Sequence, residues 1–132
     1  MKHRVDFLRK ENFWEYLFTF DGHHRLEPFV TIAHLLDDAS YWKCLALVWD
    51  NIEVSFPDMT IWLSLFNSDR SQRHHLMSKK EHREFEQLPD DLTLFRGYAS
   101  GHARRGMSWT LSEERARFFD RARNESGVFS CR

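Results

Sequence analysis

Apolar residues recur at helical spacing through the first two-thirds of the chain. After a charged N-terminal helix, Phe13, Trp14, Leu17, Phe18 and Phe20 form a broad stripe that stops at the turn pair Asp21-Gly22. Pro28 suits the first position of a helix, and Phe29, Ile32, Ala33, Leu35 and Leu36 follow at the right spacing. Asp37-Asp38 breaks that pattern and offers an N-cap for a helix over residues 39–50, with Tyr41, Trp42, Leu45, Val48 and Trp49 on one wide face. Pro57-Asp58 opens a further segment whose buried stripe is Ile61, Trp62, Leu65 and Phe66, and Asn67-Ser68-Asp69 ends it. Ser78-Lys79-Lys80-Glu81 reads as a capping box, serine oxygen to backbone amide and glutamate reaching back. The short helix it starts is predicted to end near Leu88, because Pro89 disfavours helix at the residue before it.

At Pro89-Asp90-Asp91 the period changes. Residues 92–98 (Leu-Thr-Leu-Phe-Arg-Gly-Tyr) are β-formers and predict a strand, residues 100–106 a loop, and Met107-Ser108-Trp109-Thr110 a second short strand. Ser112 is a good N-cap, Glu113 and Glu114 suit the positive end of a helix dipole, and Ala116 and Phe119 are expected to face inward. Residues 127–131 predict a last strand. The pattern as a whole gives an α+β fold in one compact domain. A helical N-terminal region, residues 1–88, packs on a small antiparallel sheet in residues 89–132.

Composition narrows the class. A hydrophobic fraction of 42% with 12 Phe and 5 Trp supplies enough large apolar surface for a real core. No apolar run approaches the ~20 residues needed to cross a bilayer, and the N-terminus lacks the apolar stretch of a signal peptide. A cytoplasmic protein is expected. Net charge is uneven. Residues 1–91 hold 11 Lys/Arg against 16 acids, whereas residues 92–132 hold 8 Arg and no Lys against 4 acids. An arginine-rich tail suits phosphate or carboxylate recognition, and it equally suits pairing with the acidic half. Arg104, Arg105, Arg115 and Arg121 are its candidate interface residues.

Two cysteines, Cys44 and Cys131, make neither a metal spacing nor a disulfide framework, and Cys44 fits a helical core position. The eight histidines include the pairs His23-His24 and His74-His75; adjacent helical residues point about 100° apart and seldom converge on one metal, so no metal is expected. Phosphate-binding loops, dinucleotide fingerprints and nucleophile elbows are absent.

One constellation carries chemistry. Arg96 lies amid strand hydrophobics, Gly97 after it allows close approach by a ligand, and Ser108 and Thr110 fall on one face of the next strand. With Tyr98 and Trp109 they would form a polar corner fit for a dinucleotide, Arg on pyrophosphate and aromatics against a flat ring. The plainer alternative pairs Arg96 with an acid across the sheet and leaves Trp109 in the core.

This stretch resembles the opening of the ADP-ribosyltransferase superfamily core in its arginine–serine–glutamate form, over about 40 residues. The resemblance implies Arg96 on the first core strand helping to hold NAD, and Ser108-Trp109-Thr110 as the strand behind the nicotinamide ribose. It also implies a late catalytic glutamate. After that strand and its helix only Gly127 to Arg132 remain, so the resemblance implies a partial core cut short before that glutamate, with Glu125 as the one candidate substitute. The flavour is that of phage and prophage proteins that place a helical region before such a core.

The expected function is therefore a non-catalytic protein-binding module, in the manner of a phage- or prophage-borne, anti-CRISPR-like inhibitor of a bacterial host or defence protein. It would need no cofactor. Its partner would be a bacterial protein or complex, with a homodimer as a second association, and neither membrane nor direct nucleic-acid binding is expected. The alternative is an NAD-dependent ADP-ribosyltransferase or NAD glycohydrolase, with NAD as cosubstrate.

Overall fold

The computed structural model describes residues 2–50, 58–99, 109–121 and 126–131. The chain is mostly helical, and its contacts cluster into two units, Met1–Glu53 with Leu65–Glu84, and Val54–Ser64 with Phe85–Arg132. The division differs from a simple split near residue 88, because residues 54–64 group with the C-terminal part.

The first unit contains α1 (Lys2–Arg9), α2 (Phe13–Phe18), α3 (Leu26–Ile32) and α4 (Asp38–Asp50), with 3-10 turns at Gly22–His24, Ala33–Leu35 and Arg73–Leu76. Asn12 caps α2, accepting the Glu15 amide at 3.4 Å. Asp37 caps α4, accepting the Ser40 amide at 2.8 Å. Pro28 lies at the third position of α3 rather than the first. Any place in the first turn serves proline, since those N–H groups have no intrahelical acceptor. The core is helix on helix: Leu17, Leu26, Phe29, Ile32, Leu36, Trp42, Leu45 and Val48 are buried. Each large apolar side chain so buried contributes on the order of 1.5–3 kcal/mol.

Leu35 departs from its expected inward stripe and is 52% exposed. The chain tightens from α3 into the 3-10 turn Ala33–Leu35, and three residues per turn instead of 3.6 rotates Leu35 outward while Leu36 turns in. Two helices follow: α5 (Met59–Phe66) and α6 (Lys79–Glu86). On α5 only Trp62 is fully buried; Ile61, expected inside, is 42% exposed, about 100° around the helix from it. The capping box of α6 is formed as expected, Ser78 N to Glu81 Oε2 at 2.6 Å and Glu81 N to Ser78 Oγ at 3.2 Å.

The second unit carries β1 (Leu94–Ala99), α7 (Glu113–Arg121) and β2 (Ser126–Cys131). The strands form a two-stranded antiparallel ribbon, from Leu94 opposite Cys131 to Ala99 opposite Ser126, and α7 packs on both. On the other edge of β1, Phe95 and Thr110 exchange both backbone hydrogen bonds at 2.7 and 2.8 Å. Ser112 caps α7, accepting the Arg115 amide at 3.2 Å, and Ala116 is buried. The ribbon is short, two strands of six residues each.

Candidate functional site

The sequence Phe-Trp-Glu-Tyr-Leu-Phe of α2 holds more large apolar residues than one helix face can bury. Leu17 points inward and is fully buried. Trp14 and Phe18, four apart and so on one face, stay 41% and 45% exposed. Their rings meet edge to face, centroids 5.9 Å apart, and the Arg25 guanidinium lies over Phe18 at 4.9 Å. About 200° around the helix, Tyr16 and Phe20 make a second edge-to-face pair at 5.3 Å, and Arg4 sits over Phe20 at 3.9 Å.

Both arginines are held by the end of α2. Arg25 Nε donates to the carbonyls of Leu17 and Phe20 at 3.1 and 3.0 Å, and Arg4 donates to Thr19 Oγ1 and its carbonyl at 2.9 and 3.0 Å. Cations at a helix C-terminus satisfy carbonyls that lack intrahelical partners and complement the dipole. The same bonds fix each guanidinium over its ring, so the side chains are ordered in advance of any contact.

Beside the Trp14 end lies a recess of about 160 Å³, lined by Phe13 and Trp14 from α2, Glu11 and Asn12 before it, and Ser40, Lys43 and Cys44 from α4. Glu11 turns the chain into α2 at φ 54°, a left-handed conformation uncommon outside glycine. Burial pushes the Cys44 thiol up to about 11, with Asp37 adding to the shift. A thiol so protonated is a packing group and not a nucleophile. A recess of this size accepts one side chain; dinucleotide pockets are several times larger.

The residues singled out from sequence distribute differently. Arg96, Gly97 and Tyr98 all lie on β1, opposite Phe129, Val128 and Gly127. Thr110 pairs with Phe95, the residue before Arg96 on β1, and alternation puts Phe95 and Arg96 on opposite faces of the strand. The Thr110 hydroxyl accepts the Ser112 amide at 3.1 Å, bracing the entry to α7. Trp109 is half-buried next to it. Arg115 is exposed on α7 and Arg121 ends that helix. Ser108, Arg104, Arg105 and Glu125 lie outside the described residues. Among the described residues no three His, Cys, Asp or Glu side chains converge on a metal-sized point.

The α2 ledge was absent from the sequence reading, which took its aromatics as core. The available signal was crowding: positions 13, 14, 16, 17 and 18 span about 200° of a helix, wider than the apolar stripe one face buries, so some had to face solvent.

No family model matches this chain, and neither a curated protein nor a solved structure matches it.

Proposed function

We propose that the chain is a non-catalytic protein-binding module that grips its partner with the Trp14–Phe18–Arg25 ledge and the adjoining recess. One observation carries this reading: two large aromatics stay exposed on a helix whose core residue is fully buried, and an arginine already fixed by backbone carbonyls is stacked on one of them, Phe18. Trp, Tyr and Arg dominate interface hot spots, and ordering them before contact lowers the entropy cost of binding. In this reading the module is an anti-CRISPR-like inhibitor, borne by a phage or prophage. It occludes a bacterial host or defence protein, and the unit around Arg96 is a partial ADP-ribosyltransferase-like core used for its surface.

The test uses tagged protein in a bacterial lysate, with Trp14→Ala/Phe18→Ala as the control. A partner captured by the wild type and lost by the double variant, at unchanged circular dichroism, supports the proposal. Equal capture by both, or none, rejects it. Calorimetry with NAD, beside an assay for nicotinamide release, addresses the enzyme alternative. Heat of binding and turnover that both vanish in Arg96→Ala would establish the NAD-consuming reading instead.

A further inference from the structure

We propose that the edge where the 3-10 turn Arg73–Leu76 packs on α4 docks an acidic segment of a protein partner, through Lys43, Arg73, His74 and His75, with His75 taking up a proton as the segment binds. This surface is separate from the aromatic ledge and does not rest on it.

The geometry is built and not incidental. The turn lies against α4, and Arg73 is stacked over Trp42 at 5.1 Å, a ring whose own residue is fully buried. Trp42 Nε1 donates to the Ser71 carbonyl at 2.8 Å, which pins the chain just before the turn. His82 of α6 brings Nε2 within 2.6 Å of the His74 carbonyl and fixes its other side. The His74 and His75 rings are thereby held 4.2 Å apart, tilted by 37°.

Two imidazoles so close disfavour a shared charge. The His75 imidazole is held below its usual value by desolvation, then by His74 and Lys43, while Asp37 opposes them weakly. The groups acting on His75 are His74 beside it, Lys43 from α4 and Asp37 just before α4, while Arg73 lies over Trp42 and His82 from α6 reaches the His74 carbonyl. Asp38, the other acid nearby, is engaged by Arg70 and Ser71. The edge thus presents Lys43 and Arg73 beside a stacked imidazole pair.

A carboxylate docked there supplies the negative charge that the pair lacks. Its binding favours the protonated form of His75, and by linkage protonation of His75 must tighten its binding by the same factor. The chemistry favours a peptide over nucleic acid. Asp37 flanks the pair, and α6 exposes Glu81 and Glu84 among its lysines, which interrupts the continuous cationic track that a phosphate backbone requires.

The experiment titrates the full chain with a polyglutamate peptide at about pH 6 and about pH 7.5, at low salt, and repeats it with a single-stranded oligothymidine. Binding is expected to be roughly tenfold tighter at the lower pH, as one proton taken up would give. His74→Gln/His75→Gln is expected to abolish that pH dependence, and Arg73→Ala to weaken binding at both values. In the wild type, the ring-proton NMR signal of His75 should titrate at higher pH with peptide present, a readout that needs no variant to fold. The proposal is overturned by absent or pH-independent binding, by an unmoved His75 titration, or by tighter binding of the oligothymidine.

Discussion

Arg70 closes on Asp38 across 32 positions of sequence, Nε to Oδ1 at 2.9 Å. The same guanidinium donates to the Ala33 carbonyl at 3.1 Å and to the Leu36 carbonyl, and lies 4.6 Å over the Tyr41 ring. One side chain thereby satisfies the open carbonyls at the end of the 3-10 turn after α3 and clamps the start of α4. It is three-quarters buried, so its loss strands acceptors where water enters poorly.

Arg70→Ala is therefore expected to destabilise the first unit by about 2–3 kcal/mol, the range for breaking a partly buried hydrogen-bond network. Arg70→Lys keeps the charge but loses the fork of donors and should recover less than half of the loss. Urea unfolding followed by tryptophan fluorescence measures both. Equal stability of wild type and Arg70→Ala would remove the clamp from the account.

Acid should weaken the fold in two stages. Asp37 is held below the usual carboxylate range by the Ser40 amide and hydroxyl, Asp38 by Ser71 and then Arg70, and Glu81 by the Ser78 amide and hydroxyl. A carboxyl lowered in the folded state contributes stability above its unfolded value near 4, lost as pH falls through the folded one. His75 acts earlier. Its folded value lies below its unfolded value near 6.5, so the unfolded chain binds more protons and stability begins to fall below about pH 6.5. The urea midpoint should decline gently from there and steeply below about pH 4, with His75→Gln removing the first slope and Asp37→Asn part of the second.

Local signals in the sequence were reliable where the chemistry closes within one turn. The Asp37, Ser78 and Ser112 caps all form, because each is decided by a side chain and an amide three residues on. What the sequence left hidden depends on distant pairings. Arg25 and Arg4 reach the end of α2 from 8 and 15 positions away, and Arg70 reaches Asp38 from farther still. No periodicity encodes such reach, so neither these arginine contacts nor the exposed aromatic face of α2 follows from the apolar stripe alone. Register on β1 is likewise set by a distant pairing: Thr110 falls opposite Phe95, one position from Arg96.

Cys44 should behave as a buried methyl-sized group. With its thiol pushed up to about 11, the thiolate fraction at pH 8 is about one in a thousand. In a Cys131→Ser background, labelling by a disulfide reagent is expected to be slow in buffer and to follow the urea unfolding curve. Rapid labelling of the native protein would mean that the wall of the recess opens far more often than global unfolding allows.

Within the single helix α2, neighbours should respond oppositely to truncation. Leu17 is fully buried, so Leu17→Ala is expected to cost about 2–5 kcal/mol, the transfer term plus the cavity left behind. Trp14 and Phe18 stay more than two-fifths exposed, and their contacts are one edge-to-face pair and the Arg25 stack. Removing either ring should cost about 0.5–1.5 kcal/mol, the worth of an aromatic pair at a wet surface. Arg25→Ala should cost more than either, because it uncovers the Leu17 and Phe20 carbonyls as well as the ring. Thermal unfolding of the four single variants orders them Leu17, Arg25, then the two aromatics. If Trp14→Ala proves as damaging as Leu17→Ala, the ring belongs to the core, and the binding ledge assigned to it fails on stability alone.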